Sequence, residues 1–347
     1  LLIFEDRIKS GKGFTFENKF TSNFLKGTKI DFLAGRKWSY IVSGVLILIS
    51  LVSIFTKGFT YGVDFTGGRT YVVRFDKPVT AESVREAAEK EFGESVEVKQ
   101  FGGDSQMKIT TSYKYKNDDS SVDTEIEGML YESLKGFYKD DLSIDEFIST
   151  VDNPNGIISS DKVGPTIAND IKRDAIIAVI LALFVIFAYI AVRFKGWTWG
   201  LGGVVSLAHT ALIVIGFFSL FSGILPFNLD VDQTFIAAIL TIIGYAINDN
   251  VVIFDRIREY RLMHPNADLK ENTNLALNAT LTRTVNTSVS TLVTMLAIAI
   301  FGGESIRGLA VALILGICIG TYASIFIGTP VMYDVTMALE KRKARKE

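Results

Sequence analysis

The residues best suited to chemistry lie in one apolar segment, Phe235–Glu259, which carries an acidic residue where a membrane disfavours one. The segment begins as an apolar run long enough to span a bilayer, and Asn248, Asp249 and Asn250 interrupt it near its far end. A carboxylate inside a hydrocarbon span is costly and therefore indicates a functional site. We predict that Asp249 is a titratable group in a protein-lined cavity, able to lose and regain a proton. The alternative is the polar end of an interfacial helix, because Arg256 lies two turns further on.

A cation and a row of hydroxyl groups occupy the next apolar run, at about Ala276–Phe301. Four of these side chains share one helix face because their spacings are four, three and four residues: Arg283, Thr287, Ser290 and Thr294. Such hydroxyls either join helices or form the wall of a polar path, and an intramembrane arginine faces protein or water. We predict that Arg283 pairs with Asp249, and that the proton pathway also includes Asn248, Thr287 and Ser290. The alternative, for Arg283 taken alone, is a residue near the end of the span whose side chain reaches the membrane surface.

Other motifs predict packing and turns. Small residues recur every four positions along the last apolar run, with Gly316 and Gly320 near the centre of this ridge. The ridge permits close approach of another helix, from this chain or from a partner.

Asp64, Gly67 and Gly68 follow the first apolar run and predict a tight turn in which Asp64 caps backbone amides. A mid-span histidine, His209, is predicted to be a hydrogen-bonded structural residue rather than a proton relay.

Six mostly apolar runs of membrane-spanning length must position these residues, so the fold class is an α-helical polytopic membrane protein. We place a cytoplasmic linker at 1–37, the first transmembrane helix at 38–56, the other five within 173–333, and a basic cytoplasmic tail at 334–347.

Because Cys318 is the single cysteine, the chain forms no internal disulfide and no thiolate metal cluster. The formal net charge of −2 gives no sign of nucleic-acid binding, and we predict no nucleic-acid partner.

The polar segment 57–172 predicts one soluble domain between the first and second transmembrane helices. A helix begins after Thr80 and ends at Gly93, and a second helix covers Asp123–Tyr138. The predicted strands are Tyr71–Phe75, Val96–Phe101, Met107–Thr111 and Gly156–Val163. The resulting order β-α-β-β-α-β predicts an α+β ferredoxin-like domain.

Charge in the loops predicts the orientation. Lysine and arginine are concentrated in the N-terminal segment, in alternate loops and in the C-terminal tail, whereas the short outer loops hold only Arg307. The positive-inside rule therefore predicts that both termini are cytoplasmic and that 57–172 is periplasmic or extracellular. The sequence has no Walker pair, catalytic triad or metal-ligand cluster, so we predict a protein without enzymatic activity, metal or cofactor. Its work would then come from an ion gradient or a partner.

Several motifs together resemble the SecF family, whose members are subunits of the bacterial SecDF protein-export complex within the resistance-nodulation-division superfamily. In chain order the matching segments are Tyr61–Gly68, Val163–Thr166, Asp174–Ala178, Ile243–Glu259 and Arg283–Ser288. The resemblance covers residues 38–335 and implies six spans, a periplasmic domain after the first span, and residence in the bacterial cytoplasmic (inner) membrane. It also places Asp249 and Arg283 at the proton-pathway positions. The family often has His-Asp in the third span, where this chain has His209-Thr210, so we assign that position no proton role.

The resemblance implies a proton-driven subunit that promotes late-stage preprotein export after the ATPase SecA has acted. Its implied partners are a SecD half, separate or fused, the SecYEG channel with YajC and YidC, unfolded preprotein and the lipid bilayer. The segment Leu1–Asp6 looks like the end of the last SecD span, which predicts the SecF half of a fused chain. One alternative is a small-molecule or lipid exporter half of the same superfamily, which usually has a larger soluble domain. Another is a non-transporting scaffold, which needs no buried Asp249–Arg283 pair.

Overall fold

The computed structural model describes residues 27–101, 103–117, 119–138, 142–149, 155–225, 229–302 and 304–346. Six helical segments are long and apolar enough to cross a membrane. They are the first span Arg36–Thr56, the second Pro165–Arg193, the third Trp197–Phe221, the fourth Gln233–Met263 and the fifth Leu269–Phe301. The sixth joins the helices Glu304–Ala323 and Thr329–Ala344 through a π-helical turn at Ser324–Gly328. The predicted fold class, six membrane helices with an inserted α+β domain, is confirmed.

Two helices extend beyond the predicted membrane segments. The second span begins at Pro165, inside the segment predicted to be soluble, and a proline in the first turn suits a helix start because its fixed φ is already helical. The sixth span continues to Ala344, and its last turn carries Lys341, Arg342 and Lys343, which complement the negative end of the helix dipole. Both extensions therefore follow from local sequence beyond the apolar runs.

The segment before the first span packs against the fifth span. Asp31 forms a salt bridge of 2.9 Å with Lys270, and the backbone N–H of Ile30 donates to the side-chain oxygen of Asn278 at 3.0 Å. Phe32 and Leu33 are buried. The part of the predicted linker at 1–26 lies outside the described residues.

The soluble domain has an antiparallel four-stranded sheet in the order β2-β3-β1-β4. The strands are β1 Gly68–Arg74, β2 Glu97–Gln100, β3 Gln106–Thr111 and β4 Gly156–Val163, and the helices are α1 Ala81–Phe92, α2 Ser120–Leu134 and α3 Ile144–Ile148. This topology confirms the predicted ferredoxin-like domain. The short α3, which sequence reasoning missed, begins with a capping box formed by Ser143 and Glu146.

Local signals set the ends of α1 as predicted. The Thr80 hydroxyl accepts a hydrogen bond from the Ser83 backbone N–H at the start, and Gly93 adopts a left-handed φ of 68° at the end. The buried face of α1 then meets the sheet and α2 in one core, which contains Tyr71, Val73, Phe75, Val84, Ala88, Phe92, Ile109, Ile126 and Leu130. The domain therefore has its own hydrophobic core beside the membrane helices.

The six spans differ sharply in how much of their surface the chain itself covers. Within an apolar stretch of 18 residues, 56% of the third span is buried inside the chain, against 6% for the second span and 11% for the fifth. The third span contacts the first, second, fourth and sixth spans. It therefore forms the centre of the bundle, while the second and fifth spans present most of their surface to lipid or to another protein.

The alternation of spans predicts that the soluble domain and the loop after the fourth span lie on opposite sides of the membrane. We expect single cysteines at Ser120, in the first turn of α2, and at Asn266 to react with an impermeant thiol reagent from opposite sides. Both positions are exposed, and a Cys318→Ser background removes the native thiol. Labelling of both cysteines from the same side would contradict this orientation.

Candidate functional site

Asp249 lies inside the bundle, on the face of the fourth span that meets the fifth and sixth spans. It is 5% exposed, and its Oδ2 atom has no hydrogen-bond partner among the described residues. The Thr321 hydroxyl of the sixth span lies within hydrogen-bonding reach of the carboxylate. Thr321 in turn forms a 2.6 Å hydrogen bond with Ser288 of the fifth span. The carboxylate therefore borders a small hydroxyl cluster that joins three spans.

The neighbouring Asn250 has a packing role. It is fully buried, and its Nδ2 atom donates to Ser206 Oγ in the third span at 2.8 Å and to the Ala246 carbonyl at 3.2 Å. A hydrogen bond between helices is favourable in hydrocarbon because water is not available to replace it. Asn250 thus ties the fourth span to the third, and Asp249 on the adjacent side remains free to interact with the fifth and sixth.

Arg283 attracts Asp249 electrostatically, but the two side chains do not form a salt bridge. Arg283 is exposed and lines a 320 Å³ cavity between the second, fourth and fifth spans. The other charged residues of this cavity are Arg193, Asp255, Arg256 and Glu259. Asp255 pairs with Arg258 at 2.6 Å, and Arg256 pairs with Glu259 at 2.7 Å. Arg283 therefore stands between the buried carboxylate and a strongly polar cavity at one end of the bundle.

The structure does not bring the other predicted pathway residues to Asp249. Asn248 and Ser290 are exposed and Thr287 is half-buried. The hydroxyls of Thr287 and Ser290 donate to the carbonyls of Arg283 and Asn286 in their own helix, at 2.9 and 2.8 Å. These residues instead form a polar outer face on the fourth and fifth spans, which this chain does not cover.

Sequence reasoning missed Thr321, whose hydroxyl lies within reach of Asp249, and Ser288, which forms a hydrogen bond with Thr321. Both residues are polar positions inside apolar runs, which is the available signal. Ser288 lies on the opposite side of the fifth span from the predicted face, and Thr321 lies beside the small-residue ridge. To find them one must know how each helix is oriented about its own axis, and residue spacing alone does not show this.

The small-residue ridge of the sixth span packs within the chain, against the fourth span. A Cβ atom on Gly316 would overlap the side chain of Ile242, and one on Gly320 would lie 3.0 Å from the Cβ of Ala246. Two helices approach this closely only where one lacks side chains. The ridge therefore holds the sixth span, with Thr321, next to the helix that carries Asp249.

The predicted turn after the first span connects distant parts of the chain. Asp64 lies in a one-turn helix, Val63–Thr66, and its Oδ2 atom accepts a hydrogen bond of 3.1 Å from the Gln233 backbone N–H. Gly67 and Gly68 follow with φ of 77° and 150°, values that favour glycine. Asp64 thus caps the start of the fourth span rather than only its own turn.

The expectation for His209 was wrong in one respect. The ring is buried at 3% exposure, yet neither nitrogen has a hydrogen-bond partner among the described residues. It lies 6.1 Å from the Tyr322 ring and borders an apolar groove between the first, third and sixth spans. His209 has no such partner because the neighbouring positions on those spans are mostly apolar. The nearby hydroxyls of Ser43 and Tyr322 form a hydrogen bond with each other at 3.2 Å.

The fold and site together define a class: a six-span membrane protein with an inserted ferredoxin-like domain and a buried carboxylate at the meeting of three spans. Comparison with known families agrees. Residues 144–338 match the family "Protein export membrane protein SecD/SecF, C-terminal", and residues 52–79, which include Gly67 and Gly68, match the SecD/SecF GG motif. The chain belongs to the SecF family of protein translocase subunits.

Individual relatives support this membership. The chain is 41% identical over 319 residues to protein translocase subunit SecF of Rhodothermus marinus, covering 92% of this chain and 97% of that protein. It is 35% identical over 310 residues to SecF of Haemophilus influenzae, covering 89% and 87%. The crystal structure of SecDF from Thermus thermophilus, titled a translocon-associated membrane protein, superposes with a TM-score of 0.72 at 28% identity. That match covers 96% of this chain, which spans 41% of the length of the SecDF chain.

Proposed function

We propose that this chain is the SecF half of a SecDF accessory complex of the Sec translocon. In this proposal the complex uses the proton gradient to promote late-stage preprotein export across the bacterial cytoplasmic membrane. Membership of the family supports the translocon role, and the geometry around Asp249 supports the use of an ion gradient. Work of this kind is transport rather than catalysis, and it needs no metal or cofactor.

The observation that carries the proposal is a polar membrane face next to a buried carboxylate. Asn248, Arg283 and Ser290 are exposed at the depth of the spans, and Asp249 is buried beside them. Polar side chains in a membrane face protein or water, because exposure to lipid is costly. We infer that a second membrane protein covers this face and encloses a polar path that includes Asp249. We propose that a homologous six-span SecD half covers this face, with its own fourth span facing this one.

The charged cavity supplies one end of that path. It opens beside Arg283 and contains residues at the end of the fourth span that loop charge assigns to the cytoplasm. We propose that Asp249 takes up a proton from the outer side, and that its weakened attraction to Arg283 then lets the spans rearrange. Release of the proton toward the cavity resets the site. Asn248, Thr287 and Ser290 would face this path from the covered side rather than contact Asp249 directly.

The remaining assignments follow from loop charge and from the role of the complex. We propose that both termini are cytoplasmic, that the soluble domain is periplasmic, and that it grips emerging unfolded preprotein. The chain would act beside the SecYEG channel, with YajC and YidC as further partners. Its soluble domain of about 110 residues favours this role over a small-molecule or lipid exporter.

The requirement for a second half is the direct test of the proposal. In cells lacking both SecD and SecF, we expect this chain alone to leave preproteins unprocessed, and we expect co-expression with its SecD half to restore their maturation. Pulse-chase labelling of a secreted precursor measures the outcome. A comparison with SecD expressed alone shows that both halves are needed. Restoration of export by residues 1–347 without any SecD would refute the proposal.

A further inference from the structure

The connection between the first span and the soluble domain forms hydrogen bonds with the loop that precedes the fourth span. The Val231 backbone N–H donates to the Thr60 carbonyl at 2.8 Å, and the Gly62 N–H donates to the Val231 carbonyl at 3.0 Å. Asp232 caps the fourth span by accepting from the Phe235 N–H at 2.7 Å. Any force on this loop therefore acts directly on the start of the helix that carries Asp249.

A partly buried charge cluster joins the same loop to the sheet. Lys99, on the edge strand β2, forms salt bridges with Glu97 on that strand and with Asp230 in the loop. The side chain of Asp230 is 7% exposed, that of Lys99 20% and that of Glu97 28%. The two carboxyl groups also lie within hydrogen-bonding reach of each other. A single ammonium group thus faces two carboxyl groups, one from each side of the contact.

We propose that Glu97 is protonated and donates this proton in a hydrogen bond to Asp230 beside Lys99, and that this shared proton holds the soluble domain against the loop before the fourth span. With the proton in place, the cluster of three side chains is electrically neutral and can be buried at low cost. Without it, the cluster carries one uncompensated negative charge in a poorly solvated site, which is unfavourable. We call this group of Glu97, Lys99 and Asp230 the docking cluster.

Charged groups of both signs surround the docking cluster. Asp64 and Asp232 line the same small cavity as Glu97 and Lys99, and the opposing cation from β3 is Lys108. On the other side, Asp230 borders a 610 Å³ cavity between α1, the end of the first span and the outer loop. The charged residues around that cavity are Lys57, Glu82 and Arg85. The helix that begins the sixth span packs against β2, and Arg307 lies near the start of that helix.

The protonation behaviour of these groups is consistent with the shared proton. Burial raises the pKa of Glu97 from 4.5 to about 7, and the nearby Asp230 carboxylate adds to the increase against the opposing effect of Lys99. Burial also raises the pKa of Asp232. Burial alone would lower the pKa of Lys99, but Glu97 and Asp230 raise it overall, so the ammonium stays charged.

These shifts give the sign of the pH dependence. Because Glu97 has a higher pKa in the docked state than in the undocked state, docking takes up a proton. The stabilisation is complete below the ordinary pKa of 4.5 and is lost as pH rises through about 7. An acidic outer compartment therefore favours the docked soluble domain, and a neutral one loosens it.

Hydrogen exchange of the full chain in lipid nanodiscs with its SecD half tests the docking cluster. The readout is the protection of the amides in residues 229–235, corrected for the pH dependence of intrinsic exchange. Between about pH 5.5 and about pH 8 we expect protection in the parent to fall on the order of tenfold, because each unit of pKa shift changes an equilibrium tenfold. We expect Glu97→Gln to remain protected across this range, because a neutral amide keeps a hydrogen-bond donor in place of the shared proton.

Two further variants separate docking from folding. Glu91→Gln, which removes an exposed carboxylate of α1, should keep the pH dependence of the parent. Asp230→Asn should weaken the dependence, because Lys99 then lowers the pKa of Glu97 without the opposing effect of the Asp230 carboxylate. Protection of β3 in residues 106–111 reports whether each variant is folded. A parent without pH dependence in residues 229–235, or a Glu97→Gln variant that retains it, would overturn the inference. The measurement does not depend on export, so its failure is distinct from failure of the proposed function.

Discussion

Replacement of Asp249 by Asn is expected to leave the protein folded and inserted but to abolish the response of export to a proton gradient. Asparagine has nearly the same shape and carries no charge, so it removes the cost of burying a carboxylate and keeps the contact with Thr321. It cannot take up or release a proton. One elementary charge that crosses the membrane gains about 2.3 kcal/mol per 100 mV, which biases two conformations by well over tenfold. Loss of the titrating group should remove that bias.

The measurement is completion of preprotein export in membrane vesicles after ATP is removed, with and without a proton gradient. The matched control is Glu271→Gln, which neutralises an exposed carboxylate in the first turn of the fifth span, outside the charged cavity, and it should keep the gradient response. If Asp249→Asn responds to the gradient as the parent does, Asp249 has a structural role and the proton path lies elsewhere. Co-purification with the SecD half shows whether assembly is intact.

Arg283→Met should lose the gradient response as well. The substitution keeps an unbranched side chain of similar length but removes the charge that attracts Asp249. Because Arg283 is exposed in the chain and forms no salt bridge with Asp249, we expect the variant to fold. The same vesicle assay applies, and Arg283→Lys should retain part of the response because it restores a positive charge.

Gly202→Ala is expected to destabilise the bundle strongly. A Cβ atom at this position would lie 2.5 Å from the Gly328 carbonyl oxygen and 2.7 Å from the Cβ of Met332. Both atoms are fixed by the backbone of the sixth span, at the end of its π-helical turn, so neither can swing aside. Overpacking of this kind costs about 1–3 kcal/mol. The free energy of unfolding should fall accordingly, with a lower thermal unfolding midpoint for the purified chain in detergent.

Gly44→Ala is the control for this effect. Gly44 lies in the first span, and nothing occupies the space that its Cβ would enter. The added methyl group therefore meets no obstacle, and alanine has a higher helix propensity than glycine. We expect a midpoint equal to or above that of the parent. Equal midpoints for the two alanine variants would show that the third and sixth spans can separate without cost.

Several features of the protein were predictable because their causes lie within a few residues of chain. The six spans follow from the length of the apolar runs, and α1 follows from Thr80 at its start and Gly93 at its end. The β-α-β-β-α-β order was sufficient to predict the ferredoxin-like topology. Asp249 stands out in any reading of the sequence because a carboxylate within an apolar run has few structural explanations.

Contacts between elements required the tertiary structure. Thr321 reaches Asp249 from the sixth span, and Ser206 holds Asn250 from the third. Asp230 meets Lys99 from the loop before the fourth span. Residue spacing shows which side chains share a helix face, but it does not show which way that face turns or which helix lies opposite. Thr287 and Ser290 illustrate the difference, since they share a face as predicted and that face points away from the bundle.

The sequence by itself determined which segments enter the membrane, where the soluble domain lies in the chain, and which carboxylate is costly to bury. These properties depend on hydrophobicity and on hydrogen bonds between near neighbours. Only the tertiary structure decided that the small-residue ridge packs against the fourth span and that Arg283 borders a charged cavity without a salt bridge to Asp249. It also showed that the soluble domain meets the loop before the fourth span through Lys99 and Asp230. Such arrangements depend on how each helix is oriented and which helices it packs against. These choices depend on close packing across the whole bundle, not on any one segment of the sequence.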